Sequence, residues 1–78
     1  MISGVQIRQA RAALRLSVVD LAALAGIGVQ TVVRLESVDG VPGGRASTLN
    51  TVQKALEAAG IEFIGSPEEG PGIRLWRK

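Results

Sequence analysis

Seven of the nine basic side chains in this chain are arginine: Arg8, Arg11, Arg15, Arg34, Arg45, Arg74 and Arg77. A guanidinium presents a planar fork of donors that fits phosphate oxygens and the acceptor edges of bases, where lysine offers a point charge. The net charge of +2 and pI near 9.9 suit an anionic partner without demanding one, and the arginines tilt that partner toward nucleic acid. Other chemistries lack their residues. Cysteine and histidine are absent, which excludes disulfides and thiolate metal sites and removes the commonest general base and metal ligand. The adjacent carboxylates Glu68 and Glu69 lie among turn residues and read as solvated loop positions, not an acid/base pair. Gly43-Gly44 is followed by no Lys-Ser/Thr, as a phosphate-cradling loop requires. No nucleophile, base and oxyanion set can be assembled, so neither an enzyme nor a metal or cofactor site is expected.

The stretch SVVDLAALAGIGVQTVVRLES, residues 17–37, is the element that must position such arginines. Ser17 opens a helix as N-cap, with Asp20 at its third position, where free N–H groups favour a carboxylate. Val19, Leu21, Ala22, Leu24 and Ala25 make that helix apolar on most sides, as if wedged between two others. Gly26 ends it, since glycine best takes the positive φ of a helix C-terminus. Gly28 then occupies the cap position of a helix over 29–36, with Val32 and Leu35 inward. Two eight-residue helices about a tight glycine turn can lay the second helix in a major groove while the first crosses the DNA backbone.

This stretch resembles the helix-turn-helix of the Cro/C1-type, or XRE, family of bacterial and phage repressors, whose pattern runs S-Q-x-x-L-A-x-x-A-G-[VI]-S-x-x-T-I-x-R-x-E. Ser17, Leu21, Ala22, Ala25, Gly26, Ile27, Thr31, Val32, Arg34 and Glu36 fall in register. With flanking helices the likeness covers about residues 3 to 60. It implies a lambda-repressor-like, all-α domain of four helices. It further implies packing or turn roles for Ala22, Gly26 and Leu35, a buried Val32, and an ion pair between Arg11 and Glu36. Base contacts would come from Val29, Gln30, Thr31, Val33 and Arg34. Glutamine can pair bidentately with adenine, arginine reaches guanine or phosphate, and valine meets a thymine methyl. Phosphate contacts would come from Ser17, Gly28, Arg45 and Arg15. Two departures subtract polar contacts: Val18 stands where the family has Gln, and Gly28 where it has Ser. The implied function is a dimeric, sequence-specific DNA-binding regulator, a repressor at an inverted-repeat operator. The rival is a protein-binding module on the same scaffold, an antitoxin or anti-activator, docking through Val18, Val29 and Val33.

The remaining elements frame this motif. Ser3 and Gln6 match a capping box before a helix from about Gly4 to Leu14, with Val5, Ala10, Ala13 and Leu14 as its apolar face. SVDGVPGGRAS reads as a loop of roughly ten residues. Ser47 is expected to cap a fourth helix, Thr48 to Ala59, carrying an inward stripe of Leu49, Val52, Ala55 or Leu56, and Ala59; Gly60 stops it. IEFI and IRLW then alternate like two short strands. Ile61 and Phe63 are expected on one face, and Ile73 and Leu75 on another. With the resemblance, residues 1–60 are expected to form a DNA-binding domain and 61–78 a two-stranded β appendage. A lone hairpin is marginal in water, and a chain this short buries only about 60% of its unfolded surface. Ile61, Phe63, Ile73, Leu75 and Trp76 are therefore expected to join two subunits, with Trp76 covering a small core or the dimer seam. No stretch reaches the ~18 apolar residues of a membrane span, and a cytoplasmic location is expected.

Overall fold

A computed structural model describes residues 1–66 and 68–76. Four helices, α1 (Gly4–Ala13), α2 (Val18–Ala25), α3 (Val29–Glu36) and α4 (Ala46–Ala58), precede strands β1 (Ile61–Ile64) and β2 (Gly72–Leu75). Helix α1 packs on α3 and β2, α2 on α3 and α4, and α4 on β1. The strands are antiparallel, in register Ile61 with Leu75, Glu62 with Arg74, Phe63 with Ile73, and Ile64 with Gly72. The hairpin therefore belongs to the same packed body as the helices.

Capping sets the helix starts. The Ser3 side chain accepts from the Gln6 backbone N–H while the Gln6 side chain accepts from that of Ser3, so both orphan donors are satisfied. Ser17 and Asp20 repeat the arrangement at α2. Helix α4 differs from expectation. It starts at Ala46 with Arg45 as N-cap and no side-chain cap bond, so Ser47 lies inside its first turn. The alanine at 46 continues a helix readily, and the loop it follows is fixed elsewhere.

The core gathers Ile2, Ile7, Ala10, Leu21, Ala22, Ala25, Val32, Leu35, Leu49, Val52, Leu56 and Ile61. On α1 the buried face is Gly4, Gln6, Ile7 and Ala10, while the expected Val5, Ala13 and Leu14 are only half-buried. The rotation follows from a backbone contact. A Cβ on Gly4 would stand 1.9 Å from the Val38 carbonyl oxygen and 2.7 Å from that of Leu35, so only glycine lets α1 approach the end of α3 this closely. The Gly4 N–H also donates to the Gly40 carbonyl at 2.8 Å.

Helix α2 packs on both α3 and α4 but on one face only: Leu21, Ala22 and Ala25 are buried, whereas Val19 and Leu24, expected to be covered, face solvent. The two strand faces expected for the apolar residues are a single face. Direct cross-strand partners point the same way, so Ile61 and Leu75 pair beside Phe63 and Ile73. Ile61 is buried in the chain's own core, and Phe63 and Ile73 pack against it. Trp76 covers no core. It is 56% exposed, with its indole N–H donating to Glu62 Oε1 at 2.8 Å and the Arg74 guanidinium 5.5 Å from its ring centroid. Arg77, named with the basic residues above, lies outside the described residues.

The side chain that fastens hairpin to helices is Gln6. Its Nε2 donates to the carbonyls of Ile64 and Gly72, each at 3.0 Å, across the last register pair of the strands. Sequence reasoning placed Gln6 in a cap; its second duty depends on strands nearly sixty residues away.

Candidate nucleic-acid interface

Between α2 and α3 the chain bends by 111° at the turn Gly26–Gly28. Gly26 holds φ at 68°, the left-handed conformation that closes a helix, and Ile27 donates back to the Ala22 carbonyl at 3.0 Å. Helix α3 then begins at Val29 with Gly28 as an N-cap lacking any side-chain bond. Val32, Leu35 and Glu36 turn inward, which forces Val29, Gln30, Val33 and Arg34 outward at helical spacing. All four are exposed, and Thr31 is half-buried. The face joins two uncharged, methyl-bearing side chains to one amide and one guanidinium, a set able to meet base edges and thymine methyls.

The inward side of α3 is held by charge. Arg11 Nε and Nη2 donate to the two Glu36 carboxylate oxygens at 2.8 and 2.9 Å, a bidentate pair linking α1 to the last turn of α3. Arg11 Nη1 also donates to the Leu16 carbonyl at 3.2 Å, tying in the α1–α2 connection. The Glu36 hydrogen bonds hold the Arg11 pKa above its ordinary value. Arg8, unassigned by sequence reasoning, donates to the Glu36 and Val38 carbonyls and to the Asp39 carboxylate. Two arginines of α1 thus grip the end of α3. Their spacing of three residues places them on one helical face, a signal present in the sequence but shared by any solvated basic pair.

The expected phosphate contacts fare differently. At α2 the Ser17 hydroxyl accepts from the Asp20 N–H, and the Asp20 carboxylate accepts from the Ser17 N–H, each at 3.0 Å. Hydrogen bonding of the carboxylate to Ser17, to its backbone N–H first and its side chain second, lowers the Asp20 pKa. Asp20 thereby places its own anion where Ser17 was expected to receive a phosphate. Arg15 is exposed and adopts φ 57°, rare for a residue with a side chain, as it closes α1. Its N–H bonds to Ala12, and that of Leu16 to Arg11, in the paired pattern of a helix C-terminus. Arg45 is exposed at the start of α4. Arg34 Nη1 donates to the Gly43 carbonyl at 2.9 Å, laying the side chain toward the loop between α3 and α4.

Among the described residues the ion pairs are Arg8–Asp39, Arg11–Glu36 and Arg74–Glu62. Arg15, Arg34 and Arg45 have no carboxylate partner in that set, and all lie in or beside the α2–α3 unit or its following loop. Of the residues expected to join subunits, Leu75 and Trp76 stay exposed, whereas Ile61, Phe63 and Ile73 are engaged inside the chain. No single helix within the described residues is long and apolar enough to cross a membrane. Comparison with known protein families and with curated proteins finds no match to this sequence.

Proposed function

We propose that this protein is a DNA-binding transcriptional regulator built on a lambda-repressor-like helix-turn-helix, similar to the Cro/C1-type regulators. The observation that carries the reading is the outward face of α3. Val29, Gln30, Val33 and Arg34 are all open to solvent on a helix fixed from behind by Val32, Leu35 and the Arg11–Glu36 pair. A helix held this rigidly can enter a major groove without reorganisation, the condition for efficient base readout. Gln30 with Val29 and Val33 form the base-facing group, and Arg15, Arg34 and Arg45 supply cations without carboxylate partners among the described residues. Two copies reading half-sites about 34 Å apart at an inverted repeat would act as a repressor by occluding polymerase.

Selection of bound duplexes from a random pool tests this. The expected result is a two-fold symmetric consensus bound with an affinity that falls steeply with salt. Failure to retain any duplex at low salt refutes it.

A specific observation favours a second reading. Val19, Leu24, Val29 and Val33 are 62%, 49%, 41% and 54% exposed, a larger apolar showing on α2 and α3 than base contact alone requires. In that reading the same face docks on a protein, as in an antitoxin or anti-activator. The duplex assay separates the two, because a protein-docking face gives no salt-dependent DNA retention.

A further inference from the structure

Arg34 would ordinarily be assigned to base reading, because it stands on the exposed face of α3 one turn after Gln30. Its guanidinium is instead seated on the loop that follows. Nη1 donates to the Gly43 carbonyl at 2.9 Å. The group also rests on the bare Cα of Gly44: a Cβ there would lie 3.0 Å from Nη1, 3.3 Å from Nη2 and 3.4 Å from Cζ. Gly44 has φ of 100°, a conformation that side chains rarely adopt, so the seat depends on glycine twice over. The next residue is Arg45, exposed at the start of α4, its side chain making no cap bond. Residues eleven apart in sequence thus meet at one glycine, the Arg34 guanidinium lying against Gly44 and Arg45 following it in the chain, with no carboxylate bonded to either among the described residues.

We propose that Arg34 and Arg45 together grip the DNA phosphate backbone and that Arg34 reads no base, leaving sequence discrimination to Gln30, Val29 and Val33. This assignment rests on the reading of α3 as the DNA-facing helix. Guanine readout needs the guanidinium fork directed end-on into the groove, coplanar with the base pair. A guanidinium with Nη1 committed to the Gly43 carbonyl and its terminal nitrogens packed against Gly44 does not have its whole fork free for that bidentate pair. What it offers is charge and its remaining N–H groups at the edge of the helix, which is what a phosphate requires. The Gly43–Gly44 seat also limits the side-chain freedom that Arg34 must surrender on binding.

The test uses the full chain and pools of random duplex DNA, with Arg34→Ala and Arg45→Ala beside the wild type and thermal melts to confirm folding. Each variant is expected to select the wild-type consensus with uniformly weaker affinity. Each is also expected to lose about 0.9 from the magnitude of the log–log salt slope, so that its affinity falls about 3.5-fold less than the wild type between 50 and 200 mM salt. A loss of preference at one base pair in Arg34→Ala, with an unchanged salt slope, overturns this assignment while leaving the DNA-binding function intact. Unchanged affinity and slope in both variants also overturn it. Wild-type protein that retains no duplex overturns the underlying function instead.

Discussion

Replacing Arg11 by alanine should damage this protein more than any other single loss of charge. The Glu36 side chain is 8% exposed, against 26% for Arg11, so removing the arginine strands the more deeply buried partner. Two charge-assisted hydrogen bonds, at 2.8 and 2.9 Å, vanish together with the bond to the Leu16 carbonyl. A buried ion pair broken from one side costs about 3–5 kcal/mol, and the low exposure of Glu36 puts Arg11→Ala in that range. Glu36→Ala leaves a guanidinium that water already reaches, and should cost less, about 2–3 kcal/mol after allowance for that hydration. A domain of this length holds roughly 4–12 kcal/mol in total, so Arg11→Ala should be marginally folded. Urea denaturation followed by circular dichroism, at constant m-value, measures both losses. The double variant Arg11→Met with Glu36→Leu, which removes both charges and keeps apolar volume, should recover much of the stability lost by Arg11→Ala. An Arg11→Ala cost below about 1 kcal/mol, or a double variant no better than that single one, would refute the buried-pair argument.

Three further outcomes are expected. Gln6→Ala leaves the Ile64 and Gly72 carbonyls without their common donor and should cost about 1–3 kcal/mol; faster amide exchange concentrated in residues 61–64 and 72–75 would confirm that Gln6 fastens the hairpin. Gly4→Ala forces a methyl against the Val38 and Leu35 carbonyls and should destabilise by at least about 1–3 kcal/mol, measured as a fall in Tm. Asp20 has its pKa lowered in the folded chain, so its contribution to stability is present above the unfolded carboxylate value and is lost as pH falls through the lower folded one. Asp20→Asn should therefore flatten the stability–pH curve below about pH 4, and an unchanged acid limb would show that the cap bonds do not persist in solution.

Local chemistry made much of this fold legible. The Ser3–Gln6 and Ser17–Asp20 boxes announced two helix starts, and Gly26 announced a helix end, because caps satisfy donors within three or four residues of themselves. Helix α3 appeared with its observed bounds because Val32 and Leu35 sit at helical spacing from the glycine turn. The α4 start departs from expectation because Ser47 is a good cap in isolation, whereas the preceding loop places the chain in helix at Ala46. The hairpin faces depart from expectation because alternation within each strand says nothing about register between strands.

Sequence by itself determined the four helices, the glycine turn, the absence of thiol and imidazole chemistry, and the types of side chain available to an anion, since each depends on residue identity or on neighbours a turn away. Only tertiary structure decided where the arginines work. Arg8 and Arg11 grip the end of α3, Arg34 lies on the Gly43–Gly44 seat beside Arg45, and Gln6 reaches carbonyls of the distant hairpin. A long polar side chain can bond within several ångströms in any direction, so its partner is fixed by which backbone the packed core brings near. Spacing along the chain carries no record of that approach.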